Sequence, residues 1–187
     1  MHVVKTAIPG VVVVEPKVFG DERGFFMELY RSERYAASGI SQLFVQDSLS
    51  RSIRNTVRGL HFQNPRAQGK LITVLRGSIL DVAVDIRVGS PTFGRHVAVE
   101  LNDDNRWQIW IPRGCAHGFV VRSDVAEVFY KSDESYSPTD EVVLRWNDPA
   151  LDIDWACTTP ILSSRDKAGL SLADLRGRLP SFEPETV

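Results

Sequence analysis

A chain of 187 residues, 43% hydrophobic and 25% charged, fits a single soluble domain that can bury a core without cross-links. Its net charge of −2 argues against a general nucleic-acid binder, which needs a basic field to neutralise phosphates. The same charge leaves room for a phosphorylated small molecule, for which a few placed arginines suffice.

The two cysteines, Cys115 and Cys157, suggest no disulfide framework, and a reducing cytoplasm is the expected setting. No apolar run is long enough to span a bilayer, so no membrane partner is expected. The valine run Val11–Val14 is too short and too β-branched for a signal peptide and reads as a strand. A turn follows at Gly20–Gly24, then the aromatic stretch Phe25–Tyr30. Ser32 is a good N-cap for a short helix to about Ala37, with Gly39 as its stop.

The middle of the chain is β almost throughout. Ile79–Arg87 alternates strictly, with Leu80, Val82, Val84 and Ile86 on one face and Asp81, Ala83 and Asp85 on the other. Arg95–Leu101, Gln108–Ile111, His117–Val121 and Val125–Lys131 are further short strands between Gly, Pro and Asp turns. Helix returns near the end, where Ser171 can cap Leu172–Arg178 in a helical tail that begins at about residue 163. The pattern predicts one mainly-β domain over residues 1–187, a jelly-roll-like barrel with short peripheral helices. In a barrel, Asp81 and Asp85 point into a lined interior; in an open sheet they face solvent.

Three clusters carry residues suited to chemistry. The first is Arg58-Gly59-Leu60-His61-Phe62-Gln63, flanked by Gln46-Asp47 and Gln68-Gly69-Lys70, where a histidine among cations suits a general base beside an anionic substrate. Strict alternation puts Arg58 and His61 on opposite faces, so both reach one pocket only if Gly59 marks a bulge. The second runs from Ile111 to Phe119 and holds Cys115 and His117; with no third member nearby, Cys115 reads as a buried structural thiol. The third runs from Val128 to Pro138, where Tyr130 and Tyr136 are either phenolic acids or core aromatics with satisfied hydroxyls. No His-x-His pair occurs, and neither a metal nor another cofactor is expected.

Taken together, these segments resemble one family. Gly20-Asp21-Glu22-Arg23-Gly24-Phe25-Phe26-Met27-Glu28, Gln46-Asp47, Arg58–Gln63, Asp81–Arg87, Gly89–Gly94, Ile111–Phe119, Trp146-Asn147-Asp148-Pro149 and Ser163-Ser164-Arg165-Asp166 occur in the order seen in dTDP-4-dehydrorhamnose 3,5-epimerases. The resemblance runs from about residue 4 to about residue 170. It implies a cupin-like jelly roll acting on a dTDP-4-keto-6-deoxyhexose, whose C4 ketone acidifies the protons on C3 and C5.

By that resemblance His61 is the base, Asp166 the carboxylate that orients it, Tyr130 the acid on the opposite face, and Lys70 the cation at the C4 oxygen. His117 is a further contact to the sugar. Arg23 and Arg58 hold the diphosphate, while Glu28, Gln46, Asp47, Ser48, Tyr136, Glu141 and Arg165 make other substrate contacts. The resemblance also implies a homodimer in which an N-terminal strand joins the other subunit's sheet, with Arg23 and Glu28 contributing across the interface. Ser48 stands where many relatives have Asn, Ser135 where some have Tyr, and Arg165 where Lys is frequent. Two rival readings use the same residues differently: a single-centre epimerase acting at C3 or C5, and a barrel that binds a nucleotide sugar without turning it over.

Overall fold

Short β-branched runs separated by turn residues fold here as antiparallel strands, because branched side chains suit a pleated surface and Gly, Pro and Asp suit the bends. A computed structural model describes residues 1–183. Its strands are β1 (His2–Lys5), β2 (Val12–Glu15), β3 (Val18–Asp21), β4 (Gly24–Met27), β5 (Gln46–Ile53), β6 (Val57–Gln63) and β7 (Lys70–Arg76). They continue with β8 (Ser78–Asp85), β9 (His96–Asn102), β10 (Gln108–Ile111), β11 (Cys115–Val121), β12 (Val125–Ser132) and β13 (Glu141–Val143). Two short helices, α1 (Ser32–Ala36) and α2 (Ser164–Lys167), accompany them, with a 3-10 turn at Arg176–Arg178.

A six-stranded sheet, in the order β1-β2-β10-β7-β12-β5, faces a five-stranded sheet, β13-β6-β11-β8-β9. The hairpin β3-β4 stands apart. The facing sides share one apolar cluster, with Ile72, Val74, Ile109 and Val128 from the first sheet and Ile79, Leu101, Phe119 and Val121 from the second. This is the mainly-β jelly-roll barrel that the strand spacing predicted.

Strand β8 is buried on both faces, which settles where its aspartates point. The row Leu80, Val82, Val84 and Ile86 faces out of the barrel, under Leu151, Trp155, Leu172 and Leu175 from the C-terminal segment. The row Ile79, Ala83 therefore faces inward, and Asp81 and Asp85 go with it, each fully buried. Asp85 is spent on structure: it accepts hydrogen bonds from Arg87 Nε at 2.8 Å, Ser90 Oγ at 2.5 Å and Thr92 Oγ1 at 2.6 Å.

Two local expectations are corrected. The N-cap of α1 is Arg31, with no side-chain cap, and Ser32 is already helical. Ser171 does accept a hydrogen bond from Asp174 N at 3.1 Å, but the segment it caps is a turn running into the 3-10 turn at Arg176–Arg178. Leu172 and Leu175 are pulled onto the outside of β8, and that contact overrides the segment's helical propensity.

Candidate active site

The apolar interior gives way to polar side chains where β5, β6, β7, β11 and β12 meet, and there the barrel opens into a cleft of about 400 Å³. Its walls carry Gln46, Ser48, Arg58, His61, Lys70, His117, Tyr130 and Tyr136, eight residues singled out from the sequence.

A bulge makes this convergence possible. On the β6–β11 pair, His61 lies opposite His117 and Arg58 opposite Phe119, so three steps along β6 match two along β11. The extra residue re-aims the strand and brings Arg58 and His61 to one side. Gly59 sits at this point with φ +117°, a region that favours glycine. A methyl group there would come within 2.6 Å of Gly118 Cα and of the His117 carbonyl oxygen.

His61 Nε2 lies 2.6 Å from Asp166 Oδ1. An ionised carboxylate only accepts, so this contact assigns the ring proton to Nε2 and leaves the lone pair on Nδ1. Ser163 Oγ donates to the other oxygen of Asp166 at 2.7 Å, and the Gly59 N–H donates to the same carboxylate. Burial pushes the Asp166 carboxyl up, but these hydrogen bonds outweigh it and hold the group below its ordinary value. On the Nδ1 side, Glu141 Oε1 is 3.8 Å away. Glu141 also accepts from the Tyr136 hydroxyl at 2.8 Å and pairs with Arg165, whose Nη1 donates to that hydroxyl at 3.1 Å.

Tyr130 reaches the cleft from the facing sheet. Burial pushes its phenol up to about 12, so it is a full proton donor at neutral pH. Its ring is 6.5 Å from that of His117, edge-on. His117 Nε2 in turn donates to Asp81 Oδ2 at 2.8 Å, while the other oxygen of Asp81 is buried with no hydrogen-bond partner among the described residues. Lys70 projects between the walls. Burial lowers its pKa, opposed by the charges of Glu141 and Asp81, and among the described residues its ammonium makes no hydrogen bond or ion pair.

Strand β5 supplies a row of which the sequence had pointed to Gln46 and Ser48 but not to Ser50 or Ser52. Gln46 Oε1 accepts from Tyr136 N at 2.8 Å, and Gln46 Nε2 donates to Ser48 Oγ at 3.1 Å. Ser50 Oγ meets the Tyr130 hydroxyl at 2.9 Å, and Ser52 Oγ accepts from Arg58 Nε at 3.0 Å. The alternation of small polar residues from Gln46 to Ser52 was the available signal for Ser50 and Ser52. Asp81 was noted in the sequence but given no role; its pairing with His117 across β8 and β11 is visible only in the fold.

Three singled-out residues lie elsewhere. Asp47, between the inward Gln46 and Ser48, points to the outer face of the sheet and pairs with Lys131 at 2.8 Å, so alternation takes it out of the cleft. Arg23 pairs with Asp21 at the tip of the β3–β4 hairpin. Glu28, just beyond that hairpin, pairs with Arg34 at 3.1 Å.

Cys115 is buried in the inner cluster, and burial pushes its thiol up to about 12, which fits the structural reading. His96 lies outside the cleft, where its Nδ1 donates to the Leu151 carbonyl at 3.0 Å. Among the described residues no three His, Cys, Asp or Glu side chains gather as a metal site.

Comparison with known proteins converges on the same reading. Residues 5–174 match the family model described as dTDP-4-dehydrorhamnose 3,5-epimerase. The dTDP-4-dehydrorhamnose 3,5-epimerase of Salmonella typhimurium is 52% identical over 171 residues, covering 90% of this chain and 93% of the relative. That of Pseudomonas aeruginosa is 49% identical over 176 residues, covering 93% and 97%. The crystal structure of a dTDP-6-deoxy-D-glucose-3,5-epimerase from Legionella pneumophila, in complex with dTDP-4-keto-L-rhamnose, superposes with a TM-score of 0.95 at 45% identity, covering 97% of this chain and 98% of that one. With the motifs in order, the barrel in place and the match spanning nearly the whole chain, this protein belongs to the dTDP-4-dehydrorhamnose 3,5-epimerase family.

Proposed function

We propose that this protein inverts C3 and C5 of dTDP-4-keto-6-deoxy-D-glucose, giving dTDP-4-keto-L-rhamnose, by proton transfer alone and with no cofactor. One observation carries the reading: an Asp166-oriented His61 on one wall of the cleft faces Tyr130 on the other. Inversion next to a ketone needs a base on one face of the ring and an acid on the opposite face.

In this mechanism His61 Nδ1 removes the proton from the carbon beside the C4 ketone. The resulting imidazolium lies between two carboxylates, Asp166 at Nε2 and Glu141 at Nδ1. The electron pair moves onto the C4 oxygen, where Lys70 supplies a positive charge that no group among the described residues pairs with, and His117 a further polar contact. Tyr130 then delivers a proton from the other face. Arg58, held at its Nε by Ser52, presents the rest of its guanidinium to the diphosphate.

A homodimer completes the site in this reading. The outer face of the six-stranded sheet is covered over β2, β10 and β7 by the segment around α1 but leaves Leu49 and Leu75 exposed, and the β3–β4 hairpin exposes Phe25 and Phe26, the last at 71%. So much exposed apolar surface is typical of an interface. Arg23 and Glu28, which do not reach the cleft of their own subunit, sit on or beside that hairpin and would serve the other copy. No helix among the described residues is long and apolar enough to cross a membrane, and both cysteines are free, which supports a cytoplasmic setting.

The test is incubation with dTDP-4-keto-6-deoxyglucose in deuterated water, following label into the sugar by NMR. Deuterium at C3 and C5, with the L-sugar formed, supports the reading. Label at one carbon would reassign the protein as a single-centre epimerase, and label at neither would leave only a nucleotide-sugar binder.

A further inference from the structure

Each inversion by this route moves one proton across the sugar ring, leaving His61 charged and Tyr130 as phenolate. Both must be reset before a second carbon can be inverted. His61 stands among carboxylates at the cleft mouth, beside exposed Tyr136 and Arg165. The Tyr130 hydroxyl lies deeper, against β5, and its hydrogen-bond partner there is Ser50 Oγ at 2.9 Å. Ser50 itself lines the cleft.

We propose that Ser50 is the positioning residue for the acid: its hydroxyl aims the Tyr130 phenol at the sugar, stabilises the phenolate and relays the replacement proton. This rests on the functional reading above. Either hydroxyl can donate in the observed contact. With Tyr130 neutral and poised to donate toward the ring, Ser50 is free to donate to the second lone pair of the phenolic oxygen. When the Tyr130 O–H bond breaks and a C–H bond forms on the sugar, the Ser50 O–H remains as the hydrogen-bond donor to the new charge. The proton of Ser50 then passes to the phenolate as Ser50 takes one from a cleft water, and the water regains a proton from bulk solvent, so no net charge accumulates.

Two observations support this assignment. Burial raises the Tyr130 pKa, and the Ser50 hydrogen bond is foremost among the influences that lower it. The register also places Ser50 opposite Val128 and Ser48 opposite Tyr130, so Ser50 reaches Tyr130 diagonally along the inward row of β5. Its neighbour two residues on, Ser52, holds Arg58 in the same way. The row thus acts as a rack for groups that would touch substrate.

The experiment compares wild type, Ser50→Ala and Ser50→Thr in deuterated water, measuring exchange, inversion, kcat and KM separately. In Ser50→Ala, inversion is expected to fall at least about tenfold in kcat, since a hydrogen bond to a charged oxygen is lost, while KM and His61-driven exchange stay within about twofold. Ser50→Thr keeps the hydroxyl and should restore most of the inversion. Wild-type partitioning between exchange and inversion in Ser50→Ala, or an equal fall in Ser50→Ala and Ser50→Thr, would overturn the role of Ser50. Wild-type protein that exchanges neither carbon would instead overturn the functional reading beneath it.

Discussion

His61 and His117 lie directly opposite each other on the β6–β11 pair, and each is held by an aspartate from a different part of the chain. Asp166, from α2, takes Nε2 of His61; Asp81, from β8, takes Nε2 of His117. The two imidazoles are thus oriented independently, as the roles proposed for them, base and oxyanion contact, require.

Replacing Asp166 with Asn removes the charge that stabilises a protonated His61, and an amide that can accept or donate at Nε2 no longer selects one tautomer. A fall of about a hundredfold or more in kcat is expected, with KM nearly unchanged. Steady-state kinetics at neutral pH checks this, and a kcat within a few-fold of wild type would remove Asp166 from the orienting role.

Tyr130→Phe keeps the ring and its packing near His117 but has no proton to give. Deuterium should still enter the carbon served by His61 while full inversion is abolished. NMR of the sugar pool reads both events at once, and normal epimerisation would assign the acid to another group.

Lys70→Met should lower kcat by about a hundredfold or more, because a preorganised charge at the developing oxyanion is lost. Stability should hold or rise, since an ammonium whose burial disfavours its charge, without an ion pair among the described residues, is exchanged for an apolar chain of similar length. Opposite outcomes in kinetics and in thermal unfolding would distinguish a catalytic cation from a structural one.

Gly59→Ala places a methyl group 2.6 Å from the backbone of β11 and forces alanine to φ +117°. A loss of about 3 kcal/mol is expected from strain and overpacking together. Urea unfolding measures it, and a loss under about 1 kcal/mol would mean that the bulge relaxes freely.

Asp85 links stability to pH. Burial pushes its carboxyl up, but the bonds from Arg87, Ser90 and Thr92 win and hold it below the ordinary aspartate value. Its contribution is therefore present above the unfolded pKa, about 3.9, and is lost as pH falls through the lower folded value. Asp85→Asn should cost about 3 kcal/mol at pH 7, with the gap to wild type closing under acid conditions below about pH 4. A pH-independent difference in urea midpoints would contradict this linkage.

The strand rhythm, the turn residues and the spacing of the chemical clusters were all readable in the sequence, because burial on a pleated sheet imposes a period of two wherever the chain is extended. That was enough for a mainly-β barrel, while the cleft residues were named through the resemblance of their motifs to one family, which supplied eight of the thirteen residues that line the cleft. Tertiary structure decided what local periodicity cannot carry. Asp81 faces the interior only because the C-terminal segment covers the opposite side of β8. Arg58 and His61 share a cleft only because β11 gives β6 one residue fewer to match, and Asp47 leaves it because strict alternation resumes on β5. The partnership of Ser50 with Tyr130 joins residues eighty apart in sequence, and no pattern along the chain encodes a distance across paired strands.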